Sequence, residues 1–295
     1  PKFVPKIDIS NGIPDEARTG VVIPAILNNE RKVKKLISEM EIYYLANREK
    51  NLYFALLGDF KDSKNEIQDD DYKINRIALN SVKKLNRKYC DNGEEIFFFF
   101  NRKRKFNSSE NMWIGWERKR GKLIEFNSLL KGDRNTSYNV ISGSLKNLYG
   151  VKYVITLDAD TKLPRDTAKK LVGAMIHILN RAVIKNDKVI RGYGIMQPRV
   201  SINSLSANKT IYSKIFSGEA GIDTYSTAVS DVYQDLFGEG IFAGKGIYDI
   251  DVFQNMLKNQ IPENAILSHD LLEGAYVRAA LVADVEFIDG YPVYY

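Results

Sequence analysis

The chain has 295 residues, of which 44% are hydrophobic and 27% charged, a balance typical of globular proteins and unlike that of disordered or fibrous chains. Its 43 basic and 37 acidic residues give a net charge of +6, which suits nucleic acid, anionic lipid or a phosphorylated small substrate without choosing among them. No segment approaches the roughly 18 to 20 consecutive apolar residues of a membrane-spanning helix, so we expect the chain itself not to cross a membrane.

The cysteine content and the first residues of the chain indicate its redox compartment and a larger parent protein. Cys90 is the only cysteine, which excludes an intrachain disulfide and is typical of a reducing, cytosolic compartment. The first six residues contain neither an initiator methionine nor an apolar signal region. We therefore expect a soluble piece of a larger protein.

The first part of the chain alternates apolar strands with helices. Residues 20–24 predict a strand, and Asn28 or Asn29 then offers an N-cap for a helix to about Arg48. Residues 52–57 predict a second strand that ends at Asp59, with a helix from about residue 71 to 89 after it.

The same alternation continues further along the chain. Residues 96–100 predict a third strand buried on both faces, and residues 152–157 a fourth, with Pro164 in the first turn of the next helix. This order predicts an α/β layered fold with a mostly parallel central sheet flanked by helices. Because no repeat or linker interrupts it, we expect one domain over residues 1–295. The basic run 102–105 is interpreted as a solvated face.

Three acidic residues follow predicted strands, where ligands bind in parallel sheets. Asp59 follows the second strand, where it could accept a hydrogen bond from a base or ribose, and Asp158 and Asp160 follow the fourth. Two carboxylates at this spacing can supply hard oxygen ligands to Mg²⁺ or Mn²⁺, which would neutralise a diphosphate leaving group. A helix cap is the alternative. The phosphatase signature of haloacid dehalogenases is disfavoured because Lys162 stands where that family has Thr or Val.

Two further segments are candidates for chemistry. Residues 268–274 precede a predicted helix that runs to residue 281, and Asp270 is either its cap or a general base that removes a proton from an attacking hydroxyl. Residues 237–246 contain four glycines, which allow close approach to a flat ligand such as a sugar ring, or form an ordinary surface loop. His177, on an apolar face, is interpreted as a core residue.

Together these segments resemble the glucosyltransferase domain of bacterial cyclic β-1,2-glucan synthases, from about Asp8 to Tyr295. The stretches that carry the resemblance are residues 116–121, 153–161, 191–200, 227–240, 244–249 and 268–274.

The resemblance implies a GT-A type, Rossmann-like fold and an inverting transfer of glucose from UDP-glucose to a β-1,2-glucan, with Mg²⁺ or Mn²⁺. It implies that Asp158 and Asp160 bind the metal and that Asp158 also faces the diphosphate. Asp270 matches the catalytic carboxylate, and Asp59 matches the acid that contacts the nucleotide. The remaining residues that the resemblance assigns are Lys119, Arg120 and Asn127 on the donor side, and Gln197, Arg199, Gly238, Glu239, Gly240 and Lys245 on the acceptor side.

The resemblance also implies a location at the cytoplasmic face of the bacterial inner membrane, held there by flanking segments of the parent protein and not by this chain. Related synthases carry an Arg-Trp motif soon after the equivalent of Tyr291 and Pro292, where this chain stops, which leaves the activity of the fragment open. The alternative function is a non-catalytic module that binds nucleotide-sugar or glucan. Nucleic-acid binding is disfavoured because no recognition element interleaves aromatic with basic residues.

Overall fold

A computed structural model describes residues 3–90, 93–202, 232–258, 260, 262, 263 and 269–290. Residues 227–231, 264, 268, 291 and 292, which belong to segments discussed above, lie outside the described residues. The chain forms two compact units. The first unit consists of Ile13–Ala159 and Lys258–Leu267, and the second of Pro1–Gly12, Asp160–Leu257 and Ser268–Tyr295.

The first unit is built on a mostly parallel sheet. Its elements are β1 (Thr19–Leu27), α1 (Glu30–Ala46), β2 (Leu52–Phe60), α2 (Asp69–Tyr89), β3 (Phe97–Arg102), β4 (Lys105–Asn107), β5 (Met112–Ile114), α3 (Arg118–Leu130), β6 (Tyr138–Ile141) and β7 (Tyr153–Thr156). The strand order of the sheet is β6-β3-β2-β1-β7. Strand β1 is parallel to β2 and β7, and β2 is parallel to β3, whereas β6 is antiparallel to β3. Strands β4 and β5 form a separate hairpin.

Local sequence signals explain the core of this unit. The Asn29 side chain accepts a hydrogen bond from the Lys32 N–H at 2.9 Å, which confirms it as the N-cap of α1. All four phenylalanines of 97–100 are 0% exposed, which confirms a strand covered on both faces. Two helices pack on this strand through aromatic contacts. Tyr44 of α1 contacts Phe97, with ring centroids 5.1 Å apart, and Phe126 of α3 contacts Phe100, with centroids 5.2 Å apart.

The second unit contains a smaller mixed sheet. Its elements are β8 (Thr161–Lys162), α4 (Thr167–Ile176), β9 (Val183–Lys185), β10 (Lys188–Arg191), β11 (Ile195–Ile202), α5 (Val232–Phe237), β12 (Gly246–Asp249), α6 (Ile250–Leu257), α7 (Asp270–Val277) and β13 (Ala279–Asp289). The strand order of the sheet is β12-β11-β13-β8. Strands β11 and β13 are parallel, and β12 and β8 are antiparallel to their neighbours. Strands β9 and β10 form a separate hairpin.

The predicted α/β fold, with a mostly parallel central sheet and flanking helices, is confirmed. Among the described residues, no helix combines the length and apolar character needed to span a membrane.

Three local predictions in the second unit are wrong. Pro164 precedes the first turn of α4, because the N-cap is Asp166, whose left-handed φ of 58° delays the helix to Thr167. His177 is the C-cap of α4 and is partly exposed, so it is not a core residue of that helix. The helix that begins at Asp270 ends at Val277 and does not continue to residue 281, because Arg278 has a left-handed φ of 60° and a strand follows.

Candidate functional site

A cleft of about 190 Å³ opens in the first unit where β1 and β2 end. Three elements supply its walls. They are the end of β1 with Pro24, Ala25 and Ile26, the end of β2 with Asp59 and Phe60, and the start of α3 with Arg118, Lys119 and Lys122, joined by Asp62 and Gly115.

Asp59 lies at the floor of this cleft and is 4% exposed. Both of its oxygens accept hydrogen bonds from the Arg102 guanidinium, Oδ1 from Nε at 2.7 Å and Oδ2 from Nη2 at 2.8 Å. Lys122 Nζ lies 3.1 Å from Asp59 Oδ2. Gly115 covers the carboxylate so closely that a Cβ there would lie 2.5 Å from it. The acid predicted to contact a nucleotide is therefore held by two cations.

Arg102 is the centre of a buried charge cluster. Its side chain is 0% exposed, and it also donates to Glu125 Oε2 at 3.0 Å and to the Trp116 carbonyl at 2.9 Å. Burial lowers the pKa of Arg102, but the nearby charge of Asp59 outweighs this and raises it above its ordinary value. Arg102 is therefore cationic at any physiological pH.

The prediction that residues 102–105 form a solvated face is wrong for two of the four. Arg102 and Arg104 are buried, while Lys103 and Lys105 are exposed. Arg104 donates to Asp71 Oδ2 at 2.6 Å. Both arginines turn inward because they pair with the buried carboxylates of Asp59 and Asp71.

Lys122 also lines the cleft, although the resemblance assigns no role to this member of the basic cluster around Lys119. It is 3% exposed and its Nζ donates to the Ala25 carbonyl at 2.9 Å, at the end of β1. Burial lowers the pKa of Lys122 to about 8, and the charge of Arg102 adds to this effect although Asp59 opposes it. The available signal was its spacing, since Lys119 and Lys122 are three apart on α3 and share a helix face.

Two of the predicted donor residues lie together at the edge of this unit. Lys119, in the first turn of α3, forms an ion pair with Asp158, which follows β7, and each side chain is about one-third exposed. Arg120 instead pairs with Glu117 at 3.1 Å, and Asn127 is 0% exposed inside α3. Neither Arg120 nor Asn127 lines the cleft.

The second unit contains the other two predicted acids. Asp160 is exposed, and its carbonyl oxygen accepts a hydrogen bond from the Gly290 N–H at 3.3 Å. Asp270 is the first residue of α7 and is partly exposed; His269 is the N-cap, so the interpretation of Asp270 as the cap is wrong. The backbone of Gly244 lies against the carboxylate, since a Cβ on Gly244 would lie 2.6 Å from Asp270 Oδ2.

The residues predicted for the acceptor side are tied to the strands of the second unit. Gln197 is 2% exposed, and its Oε1 accepts from the Ala243 N–H at 2.5 Å. Arg199 forms an ion pair with Glu286 at 3.4 Å. These contacts join the glycine-rich segment to β11, and β11 to β13.

The glycine-rich segment itself is anchored at several points. Arg278 Nη2 donates to the Gly238 carbonyl at 3.2 Å, and its Nε lies 3.7 Å from Glu239 Oε1. The Gly240 N–H donates to the Ala279 carbonyl at 2.8 Å. Lys245 forms an ion pair with Asp289 at the end of β13.

The chemistry of Asp158 and Asp160 suits a hard divalent cation. Both are carboxylates, one partly exposed and one exposed, so neither must be dehydrated from a core position to bind an ion. Within the described ranges, no group of three or more His, Cys, Asp or Glu side chains is arranged to hold a metal. Mg²⁺ is commonly bound by one or two carboxylates together with substrate oxygens and water.

Comparison with known proteins adds an independent line of evidence. No known family profile matches the chain. It is 45% identical over 288 residues to the cyclic beta-(1,2)-glucan synthase NdvB of Rhizobium meliloti (strain 1021), which covers 97% of this chain and 10% of the relative's length.

Two solved structures of LgtC also align with the chain. One is a galactosyltransferase LgtC in complex with donor and acceptor sugar analogs, with 10% identity over 89% of this chain and 72% of that one and a TM-score of 0.34. The other is an active-site mutant of LgtC, with 9% identity, the same coverage and a TM-score of 0.35. Structural similarity at these TM-scores supports no conclusion about function. The sequence similarity is informative: over nearly its whole length this chain is similar to one segment of a cyclic β-(1,2)-glucan synthase, as its motifs predicted.

Proposed function

We propose that this chain is a GT-A type glycosyltransferase domain, over residues 1–295, that transfers glucose from UDP-glucose to a growing β-1,2-glucan with inversion. The observation that carries the proposal is the 45% identity to a cyclic β-(1,2)-glucan synthase over 97% of the chain. Because the chain spans 10% of that relative, the activity of the whole synthase is itself part of the proposal. Attachment to the cytoplasmic face of a membrane would come from other segments of the parent protein.

The donor would bind at the cleft of the first unit. Asp59, fixed by Arg102 and Lys122, offers lone pairs of an oriented carboxylate to a hydrogen-bond donor of the base or ribose. Lys119 and Arg118, at the rim, place positive charge where a diphosphate would lie. Asp158 and Asp160 would hold Mg²⁺ or Mn²⁺, and such an ion, when bound, stabilises the negative charge of a diphosphate leaving group.

Asp270 would act as the general base. Its carboxylate removes the proton of the acceptor hydroxyl while the hydroxyl oxygen attacks C1 of the glucose. The bond from C1 to the UDP oxygen breaks, UDP leaves with the electron pair, and the configuration at C1 inverts. The proton then passes from Asp270 to water. The residues that would shape the acceptor side are Gln197, Arg199, Gly238, Glu239, Gly240 and Lys245. This assignment is supported by the hydrogen bonds and ion pairs that link the glycine-rich segment to β11 and β13.

Calorimetric titration tests the donor site. UDP and UDP-glucose are titrated into the chain with Mn²⁺, with Mg²⁺ and with chelator, alongside an Asp158→Ala, Asp160→Ala double variant. We expect metal-dependent binding that the double variant loses. No binding under any condition, also in a longer chain that includes the downstream segment, would rule the proposal out.

Replacement of Asp270 separates a transferase from a module that only binds. Asp270→Asn keeps the size of the side chain and removes its basicity, so donor affinity should stay within about twofold while transfer falls by at least about a hundredfold. Undiminished transfer in the variant would exclude Asp270 as the base. Donor binding without any turnover in the wild type would favour the binding module.

A further inference from the structure

The end of strand β13 contacts two segments that the proposed function uses. Asp289 is the last residue of β13 and pairs with Thr161 of β8, and the next N–H, of Gly290, donates to the Asp160 carbonyl at 3.3 Å. Asp160 is the proposed second metal ligand. Its backbone is therefore fastened to the end of β13.

The side chain of Asp289 extends this connection to the glycine-rich segment. Its Oδ1 accepts a hydrogen bond from Thr161 Oγ1 at 2.5 Å, and its Oδ2 forms an ion pair with Lys245 Nζ. Thr161 is 0% exposed and Lys245 is buried. The Lys245 side chain is 11% exposed and that of Asp289 is 21% exposed, so loss of one partner would leave the other charge partly desolvated.

Lys245 stands between two glycines whose backbone lies close to neighbouring groups. Gly244 has a φ of 80°, and a Cβ on it would lie 2.6 Å from Asp270 Oδ2. A Cβ on Gly246 would lie 2.3 Å from the Met196 carbonyl oxygen. A shift of Lys245 would move these glycines and change their close contacts with the Asp270 carboxylate and with β11.

From these contacts we infer that Asp289 is a positioning residue, which holds Thr161 and Lys245 and through them the backbone beside Asp160 and beside Asp270. Both oxygens of Asp289 are engaged by these two partners, so its role is placement and not proton transfer. The inference rests on the proposed function for the roles of Asp160 and Asp270. Displacement of a catalytic group by about 1 Å can cost on the order of a hundredfold in rate.

Asp289→Asn tests the inference, with Asp284→Asn as the matched control. Asp284 lies on the same strand and also pairs with a lysine, Lys6, but it is exposed. We expect Asp289→Asn to lower kcat by roughly ten- to a hundredfold, with KM for UDP-glucose within about threefold. Asp284→Asn should keep both values. Lys245→Met should reproduce part of the loss, and the double variant should be no worse than Asp289→Asn alone, because both changes break the contact between Asp289 and Lys245.

Amide hydrogen exchange gives a readout that does not depend on activity. Exchange should become faster in residues 160–162 and 243–246 of Asp289→Asn, and remain as in the wild type in Asp284→Asn. A wild type that transfers glucose, with Asp289→Asn equal to it in kcat and in exchange, would overturn the inference. A wild type without transfer, also in a longer chain that includes the downstream segment, would overturn the proposed function instead, and the exchange data alone would then decide the positioning role. If Asp289→Asn does not fold, Thr161→Val breaks the same network at one hydroxyl and should show the same pattern at smaller amplitude.

Discussion

Arg102 holds Asp59 through two parallel hydrogen bonds of 2.7 and 2.8 Å, and neither side chain is more than a few per cent exposed. Asp59 lines the cleft, and Arg102 fixes the position of its carboxylate. The burial of this pair makes it a part of the core as much as a part of the site.

Removal of Arg102 should therefore destabilise the protein strongly. Arg102→Met leaves Asp59 and Glu125 without their main cation, and loss of one partner from a buried pair costs about 3–5 kcal/mol. Arg118→Met is the control, because Arg118 pairs with Asp62 and Glu110 in an exposed setting worth ~1 kcal/mol or less. Urea denaturation of both variants measures the difference. Equal destabilisation would contradict the assignment of Arg102 to the core.

Lys122 should make stability depend on pH in alkaline solution. Its folded pKa is about 8 and its ordinary value is 10.5, so between these values the unfolded chain holds more protons. The free energy of unfolding of the wild type should therefore rise, relative to that of Lys122→Met, as the pH increases from about 8 to about 10.

Denaturation curves at several pH values in that window check this sign. Lys88→Met is the control, because its hydrogen bond to Glu41 raises the pKa of Lys88 and adds no such rise. Parallel stability profiles for the wild type and Lys122→Met would show that Lys122 titrates normally.

Lys119 should contribute to nucleotide binding more than to metal binding. Its ammonium group pairs with Asp158, so Lys119→Met removes a cation from the proposed diphosphate position while leaving the carboxylate in place. We expect affinity for UDP to fall about tenfold and affinity for Mn²⁺ alone to stay equal or increase. Lys105→Met, at a half-exposed lysine paired with Glu125, is the control. Calorimetry measures both ligands; a fall in Mn²⁺ affinity would be the contrary result.

Gly244 should tolerate no side chain. Gly244→Ala places a methyl group 2.6 Å from the Asp270 carboxylate and adds the strain of a left-handed φ of 80°. Gly132→Ala is matched in backbone strain, with φ 96°, but has no neighbour within 4 Å of the new methyl group. Both variants should lose about 1–2 kcal/mol of stability from backbone strain. Only Gly244→Ala should also lose transfer, and similar activities in the two would show that Asp270 can move aside.

Local patterns in the sequence predicted most of the first unit. The apolar runs of β1, β2 and β3 and the N-cap at Asn29 are signals confined to a few residues, so they can be recognised before the fold is known. The region after Asp270 was harder, because an apolar run with helical and strand character is ambiguous without its tertiary partners. There β13 pairs with β11 and β8, which the local sequence does not reveal.

The sequence predicted which acidic residues belong to the site, but not which cations pair with them. Asp59 and Asp158 were identified from strand ends, but their cations come from distant positions: Arg102 is 43 residues from Asp59, and Lys119 is 39 from Asp158. Such pairings depend on which strands become neighbours. The same holds for Asp289, which no motif marked and which is 44 residues from Lys245.

The fully buried run of phenylalanines in β3 has a consequence for the newly made chain. Before β3 is covered by its neighbours, residues 96–100 are an uncharged, strongly β-forming segment of the kind that self-associates. Glu94 and Glu95 precede this segment and the basic run 102–105 follows it. Charged residues that flank such a segment oppose its self-association. We therefore expect Arg102 and Arg104 to reduce aggregation of the unfolded chain, and in the folded protein they are the buried partners of Asp59 and Asp71.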